Sequence, residues 1–260
     1  MLKTIIGTSL TLGAFSACFA SGGAPAKPLF DGFEGSAVAA FWLPGSYGNG
    51  RHAPGSVTIS DKYARGGKTC VAITIREGDV EQDGGDGAKT ERDELDSGAY
   101  PLVGSDVWYG FSVLLPRDFP VVDNRLVIAQ WKQKDVAGPL VAQRFRAGRH
   151  YLTVRTGEGQ DTQFELPPLA FEKWNDMVYH VRYSEQKNGL VEVWMNGTRV
   201  VSWEGVTAFP GGRNAFYSKI GLYRNRWKAP MTIYFDNYTL GNARDVVDPS
   251  RFDRGPGGHK

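Results

Sequence analysis

Tyr217-Ser-Lys-Ile-Gly-Leu-Tyr-Arg-Asn-Arg-Trp227 reads as one long β-strand, because its residue types change with a period of two. Ile220 and Leu222 fall on one face, as a strand covering a core requires. Lys219, Gly221, Tyr223, Asn225 and Trp227 fall on the other. This second face is too polar for a core and too aromatic for an idle surface. Trp and Tyr offer flat apolar contact to a sugar ring, Lys and Asn reach its oxygens, and Gly admits a ligand close to the backbone. From Gly205 to Phe235 there are five basic residues (Arg213, Lys219, Arg224, Arg226 and Lys228) and no Asp or Glu. The ligand expected on this face is therefore anionic.

Outward from this strand the same pattern recurs. Runs rich in Val, Ile, Tyr, Phe, Trp and Thr, separated by Gly, Pro, Asn and Asp, predict strands at 56–60, 69–76, 90–97, 106–115, 126–133, 141–146, 150–155, 177–184, 190–195, 198–203, 216–224 and 231–240. Asn188-Gly189 and Asn196-Gly197 each join two runs in the manner of a tight hairpin. Short helices are expected only near 35–41 and 169–174. With 33 Gly and 14 Pro in the chain, the pattern predicts an all-β fold. The expected form is a single-domain β-jelly roll, two antiparallel sheets in a concanavalin-like sandwich with a concave substrate groove.

The ends and the charges bound the setting. Lys3, the apolar Ile5–Phe19 and the small residues around Ala20 make residues 1–20 a signal peptide, so a secreted or periplasmic protein is expected. A lipid anchor on Cys18 ranks below that. Residues 21–28 are a flexible lead-in, 29–246 the jelly roll, and 247–260 a tail expected to be disordered, Gly-rich and basic over Arg251–Lys260. No apolar stretch reaches the ~20 residues of a transmembrane helix. Losing the signal leaves 29 basic against 28 acidic residues, so net charge says little and its clustering more. Near-neutrality and the lack of single-strand motifs argue against nucleic acid as a partner. An anionic polysaccharide and a monomer are expected. Cys70 is the remaining cysteine; no intramolecular disulfide can form, and it reads as an inert core thiol.

Three further segments carry polar chemistry. In Thr90-Glu-Arg-Asp-Glu-Leu95, alternation sets Arg92 and Glu94 on one face, with Asp93 and Leu95 on the other. An Arg held by a carboxylate is a rigid fork for a substrate carboxylate. In Val127-Ile-Ala-Gln-Trp-Lys-Gln133, Gln130 and Lys132 are placed on the face of Ile128. Arg144, Arg146, Arg149 and Arg155 fall in an acid-free span, and Arg146 and Arg155 are taken as binding residues. Residues 77–87 form an acidic, Gly-rich loop read as solvated, without the ligand spacing of an EF-hand. Each segment alone is an ordinary strand face or loop; together the strands make a site.

Arg92-Asp-Glu-Leu95, Gln130-Trp-Lys132 and Tyr217-Ser-Lys-Ile-Gly-Leu-Tyr223 resemble, in that order, the Arg-x-Glu-Leu, Gln-x-His and Tyr-x-Lys-x-Gly-x-Tyr signatures of jelly-roll alginate lyases. Phe30-Asp-Gly-Phe-Glu34, Val193-Trp-Met-Asn-Gly197 and Tyr234-Phe-Asp-Asn-Tyr238 make the wider pattern more similar to the heparin lyase I-like and glucuronan lyase families. The chain departs from the signature at Lys132, which stands where the histidine is expected. The resemblance implies β-elimination of a uronate polymer. Proton abstraction at C5 builds charge on the adjacent carboxylate, which Arg92, Gln130 and Lys132 would neutralise. Tyr223 would move the proton, helped towards its phenolate by Lys219 and Arg224, since a free phenol ionises near pH ~10. Where the eliminated groups lie on opposite sides a second group is needed, and His52 is the histidine best placed for it. Glu94, Lys132, Lys219, Arg224, Asn225 and Trp227 complete the binding set. No cofactor is required; family analogy alone allows a structural calcium ion near Glu34 and Asp236. The rivals are a glycoside hydrolase using Glu91, Asp93 or Glu94, and a non-catalytic carbohydrate-binding jelly roll.

Overall fold

A computed structural model describes residues 27–44, 51–79, 89–157 and 159–253, and within them the regular structure is almost wholly antiparallel β. The strands are β1 (Leu29–Asp31), β2 (Leu43–Pro44), β3 (Val57–Ser60), β4 (Cys70–Ile75) and β5 (Thr90–Asp96). They continue with β6 (Asp106–Leu114), β7 (Leu126–Gln133), β8 (Val141–Arg146), β9 (Arg149–Gly157) and β10 (Gln160–Glu165). The last are β11 (Asn175–Arg182), β12 (Gly189–Met195), β13 (Thr198–Gly205), β14 (Phe216–Asn225) and β15 (Met231–Gly241). One sheet runs β13-β12-β11-β6-β15-β4-β3 with β1 beside β15; the other runs β10-β9-β8-β7-β14-β5-β2. This is the two-sheet jelly roll expected. All twelve expected strands form; β1, β2 and β10 are additional.

The core lies between the sheets and takes one face of each strand. Phe216, Ile220 and Leu222 of β14, Leu95 of β5 and Leu126, Ile128 and Trp131 of β7 meet Phe111, Tyr179 and Phe235 of the facing sheet. The Trp131 ring lies 4.1 Å from that of Tyr179, centroid to centroid. Each such large apolar side chain contributes roughly 1.5–3 kcal/mol on burial.

Two irregularities in the second sheet set which side chains face outward. Pairing of β14 with β7 skips a residue between Ile220 and Tyr223, and Gly221 there has φ +145. A Cβ at Gly221 would stand 2.5 Å from the Asp93 carbonyl oxygen, so only glycine lets β5 and β14 close up. Pairing of β7 with β8 slips between Val127 and Ala129. The sequence expectation that Ile128 shares a face with Gln130 and Lys132 is therefore corrected: the bulge turns Ile128 into the core.

The helices expected near 35–41 and 169–174 do not form; these residues are turns and extended chain. Helical structure instead follows β15, as α1 (Arg244–Val247) and a 3₁₀ turn at Pro249–Asp253. The expectation of disorder from 247 is corrected in its first part. Val247 is fully buried against Val178 and Trp194, and Phe252 stacks on Phe30 at 5.1 Å, so apolar contact orders this stretch. The signal peptide with Cys18, most of the lead-in, most of the acidic loop and residues 254–260 lie outside the described residues. Among the described residues no helix is long and apolar enough to cross a membrane. Cys70 is buried, and burial above all pushes its thiol up to about 12.

Candidate active site

The outer face of the β10–β2 sheet is polar because alternation sends every second residue of β5, β7, β8, β9 and β14 away from the core. Register lines these residues up across the strands. Tyr223 pairs with Arg92 on one side and Val127 on the other, and Val127 continues to Arg144 and Tyr151. Next along the strands Gly221 pairs with Glu94, and then Lys219 pairs with Asp96 and Gln130. Beyond these Tyr217 pairs with Lys132.

Side chains converge at the centre of this grid. The Arg92 guanidinium lies 4.5 Å over the Tyr223 ring, and its Nη1 is 3.8 Å from Glu94 Oε2. Gln130 Nε2 donates to Glu94 Oε1 at 2.5 Å. Glu94 therefore fixes both neighbours: it anchors the guanidinium and decides which end of the Gln130 amide carries the donors. One Nε2 proton goes to Glu94. Phenol, guanidinium and carboxamide project from the same face of this sheet, with Glu94 touching the last two.

Lys132 and Lys219 add positive charge beside them. Burial, and then the Lys219 ammonium, lower the Lys132 amine to about 8. Tyr217, another phenol on this face, is pushed well up by burial and by the Asp96 and Glu94 carboxylates. It is thus held protonated. Tyr223 has two guanidiniums over its ring, Arg92 at 4.5 Å and Arg125 at 4.2 Å.

Other expected residues are placed elsewhere. Arg224 is corrected: it points into the sandwich, is fully buried, and pairs with the equally buried Glu91 at 2.8 Å. It falls on the core-facing set of β14, so it cannot line the groove. Arg146 reaches the outer surface at the end of β8, in an exposed ion pair with Asp123. Arg155 bonds the Ala137 carbonyl and lines a separate hollow of about 440 Å³ with Phe209 and Gly212. Asn225 is exposed, its Oδ1 accepting from Arg125 Nε at 3.0 Å. Trp227 is 39% exposed and lines an open hollow of about 580 Å³ with Glu77, Arg226 and Lys228. His52 joins β5 from the side: its Nδ1 lies 2.5 Å from Oδ1 of Asp93, on the core-facing side of that strand.

Two residues of the site were not singled out from sequence. Arg125 precedes β7, and nothing in the alternation marks it; only the turn of the chain stacks it on Tyr223. Arg144 was one of four arginines in its span, and the register decides that it shares a row with Tyr223, its Nε donating to Thr153 Oγ1 at 2.9 Å.

At Glu34 and Asp236 the carboxylates accept backbone N–H groups of Arg65, Gly66, Lys68 and Thr69. Burial, and then Glu34, raise Asp236, to about 6. Two carboxylates and the backbone of 65–69 are what this corner offers a calcium ion. No group of three or more His, Cys, Asp or Glu side chains with metal-ligand placement occurs among the described residues.

Comparison with known proteins places these features in a group. The family described as polysaccharide lyase matches residues 42–239. Among solved structures, endo-β-1,4-glucuronan lyase from the fungus Trichoderma reesei superposes with a TM-score of 0.63 at 16% identity, covering 81% of this chain and 98% of that one. The family 7 alginate lyase AlgAT5 gives a TM-score of 0.56 at 13% identity, covering 78% and 94%. The family 7 alginate lyase A1-II', solved with product, gives 0.57 at 14%, covering 78% and 95%. At these identities the likeness is one of fold. No curated protein sequence matches the chain at a significant level.

Proposed function

The chain belongs to the polysaccharide lyase family, and on that premise we propose that it cleaves a uronic-acid polysaccharide, glucuronan- or alginate-like, by β-elimination that leaves unsaturated uronate ends. The observation that carries this is the convergence of Tyr223, Arg92 and Gln130 on one outward wall, with Glu94 holding the last two. A uronate carboxylate fits the second Gln130 N–H, the Arg92 fork and the Lys132 ammonium. These preformed donors meet the charge that grows when C5 loses its proton.

Tyr223 supplies the proton transfer. Its phenolate takes the C5 hydrogen, the electron pair forms the C4–C5 double bond, and the C4–O4 bond breaks. The departing O4 then recovers a proton from the same phenol, which restores the phenolate. This single-group route suits units whose C5 hydrogen and O4 share a side, as in β-glucuronate and mannuronate. His52 is the second group for units in which they do not. Asn225 and Trp227 extend the wall towards neighbouring sugars. The same proposal includes export, on the strength of residues 1–20.

A hydrolase would need two free carboxylates at a set separation. Glu91 and Asp93 are fully buried on the core side, and Glu94 is committed to Gln130 and Arg92, which speaks against that route. The test is Tyr223→Phe assayed on glucuronan, alginate and heparin by the near-ultraviolet absorbance of the unsaturated product. Turnover is expected to fall about 10²–10⁴-fold, the usual worth of general acid–base transfer, while polymer binding is kept. Full activity in this variant would sink the mechanism.

A further inference from the structure

Position 93 falls on the core-facing side of β5, between Glu91 and Leu95, where packing alone calls for an apolar residue. It is a fully buried aspartate. Burying a carboxylate is costly unless its oxygens are well engaged. Glu91 is engaged by the guanidinium of Arg224. Asp93 is engaged by one short loop: Oδ2 accepts the Ala53 N–H at 2.9 Å and meets the Ser56 hydroxyl, while Oδ1 faces His52 Nδ1 at 2.5 Å.

These contacts fix more than the path of residues 52–56. An imidazole carries two different nitrogens, and the hydrogen bond made by one decides the state of the other. Oδ2 already receives a donor, so Oδ1 is the open acceptor and Nδ1 must be the donor. In neutral His52 the lone pair is then on Nε2. The His52 side chain is 24% exposed although its Nδ1 partner is wholly buried, so the exposed part of the ring is the edge away from Asp93. Among the described residues His52 makes no hydrogen bond to Tyr223 or Gln130. Asp93 is flanked in sequence by Arg92 and Glu94, which tie the same strand segment to the outer wall.

We propose that Asp93 is a positioning residue: it anchors the 52–56 loop to the strand that carries Arg92 and Glu94, and it holds His52 as the Nδ1–H tautomer, leaving Nε2 to accept or return a substrate proton. This rests on the role given above to His52 as the second proton-transfer group. The chemistry is a proton transfer alone; Asp93 neither gives nor takes a proton.

The tautomer is read directly by ¹⁵N NMR of the full chain with labelled histidine. Wild type is expected to show His52 protonated on Nδ1 and bare on Nε2, and Asp93→Asn to lose that pattern. With an opposite-side uronate polymer, Asp93→Asn is expected to lower kcat about 10²–10⁴-fold with KM within about threefold. Ser56→Ala, which keeps the carboxylate and removes only a loop anchor, should stay within about threefold in kcat. An Nε2–H tautomer in wild type overturns the proposal without reference to activity, and so decides the matter even if Asp93→Asn does not fold. A folded Asp93→Asn with wild-type kcat overturns it too, as does Ser56→Ala losing as much as Asp93→Asn. Full activity in His52→Ala would instead remove the catalytic role of His52, leaving the NMR result to stand for the tautomer.

Discussion

Arg224→Met tests the internal electrostatics that separate the two faces of β14. Arg224 and Glu91 both have fully buried side chains. Nε donates to Glu91 Oε2 at 2.8 Å, Nη1 to the Ala229 carbonyl at 2.7 Å and Nη2 to the Trp227 carbonyl at 2.9 Å. Burial lowers the Arg224 value and Glu91 raises it again. Methionine keeps the apolar stem and removes the charge. Glu91 is then left buried with the N–H donors of Gly78 at 2.8 Å and Trp227 at 3.2 Å, and with the exposed Arg226 guanidinium only at 4.0 Å. Stranding one partner of a buried pair costs about 3–5 kcal/mol. The two carbonyls are part-buried and water can reach them, so they add little. A loss of about 4 kcal/mol corresponds, for a domain of this size, to a fall in Tm of about 8–16 °C. Urea unfolding should show a lower midpoint with an unchanged slope. Arg224→Met with Glu91→Gln should recover part of the loss, because an amide still accepts those N–H groups and leaves no bare charge. Below the transition KM should change less than in Arg92→Ala. A loss under about 1 kcal/mol accompanied by a large rise in KM would refute this account and return Arg224 to the groove.

Three further outcomes follow from the same geometry. Since burial first and Lys219 second lower Lys132 to about 8, kcat/KM should fall as pH rises through that value and the cation is lost; Lys132→Arg should carry the fall to higher pH. Gly221→Ala combines φ +145 with a 2.5 Å approach to Asp93 O. It should spread β5 from β14 and cost activity and stability together, by roughly 1–3 kcal/mol or more. His150 is buried, with burial lowering it to about 4. Between pH 4 and 6.5 the unfolded chain therefore binds a proton that the folded one does not, and stability falls as pH falls, by up to about 3 kcal/mol. Asp236, raised to about 6, works in the opposite sense. The difference between wild type and His150→Gln across this range isolates the histidine, and a flat difference would exclude it.

The fold was legible because alternation in a half-buried strand is imposed locally by the pleat. Every strand with a strong apolar period was readable in place. β10 was not: Gln160-Asp-Thr-Gln-Phe-Glu165 is an exposed edge strand that exists because β9 offers it a ladder. α1 and the 3₁₀ turn were hidden for the same reason, since burial of Val247 orders a stretch too short to show a helical period of its own.

Sequence by itself therefore determined the sandwich, the outward face of β14 and the set Arg92, Glu94, Gln130, Lys132, Lys219 and Tyr223, because each depends on spacing along one strand. Tertiary structure alone decided that Arg224 belongs to Glu91, that Arg125 covers Tyr223, that Ile128 turns inward and that His52 leans on Asp93. Those outcomes depend on bulges, on register between strands and on loops brought up from distant parts of the chain. A period of two cannot encode any of them.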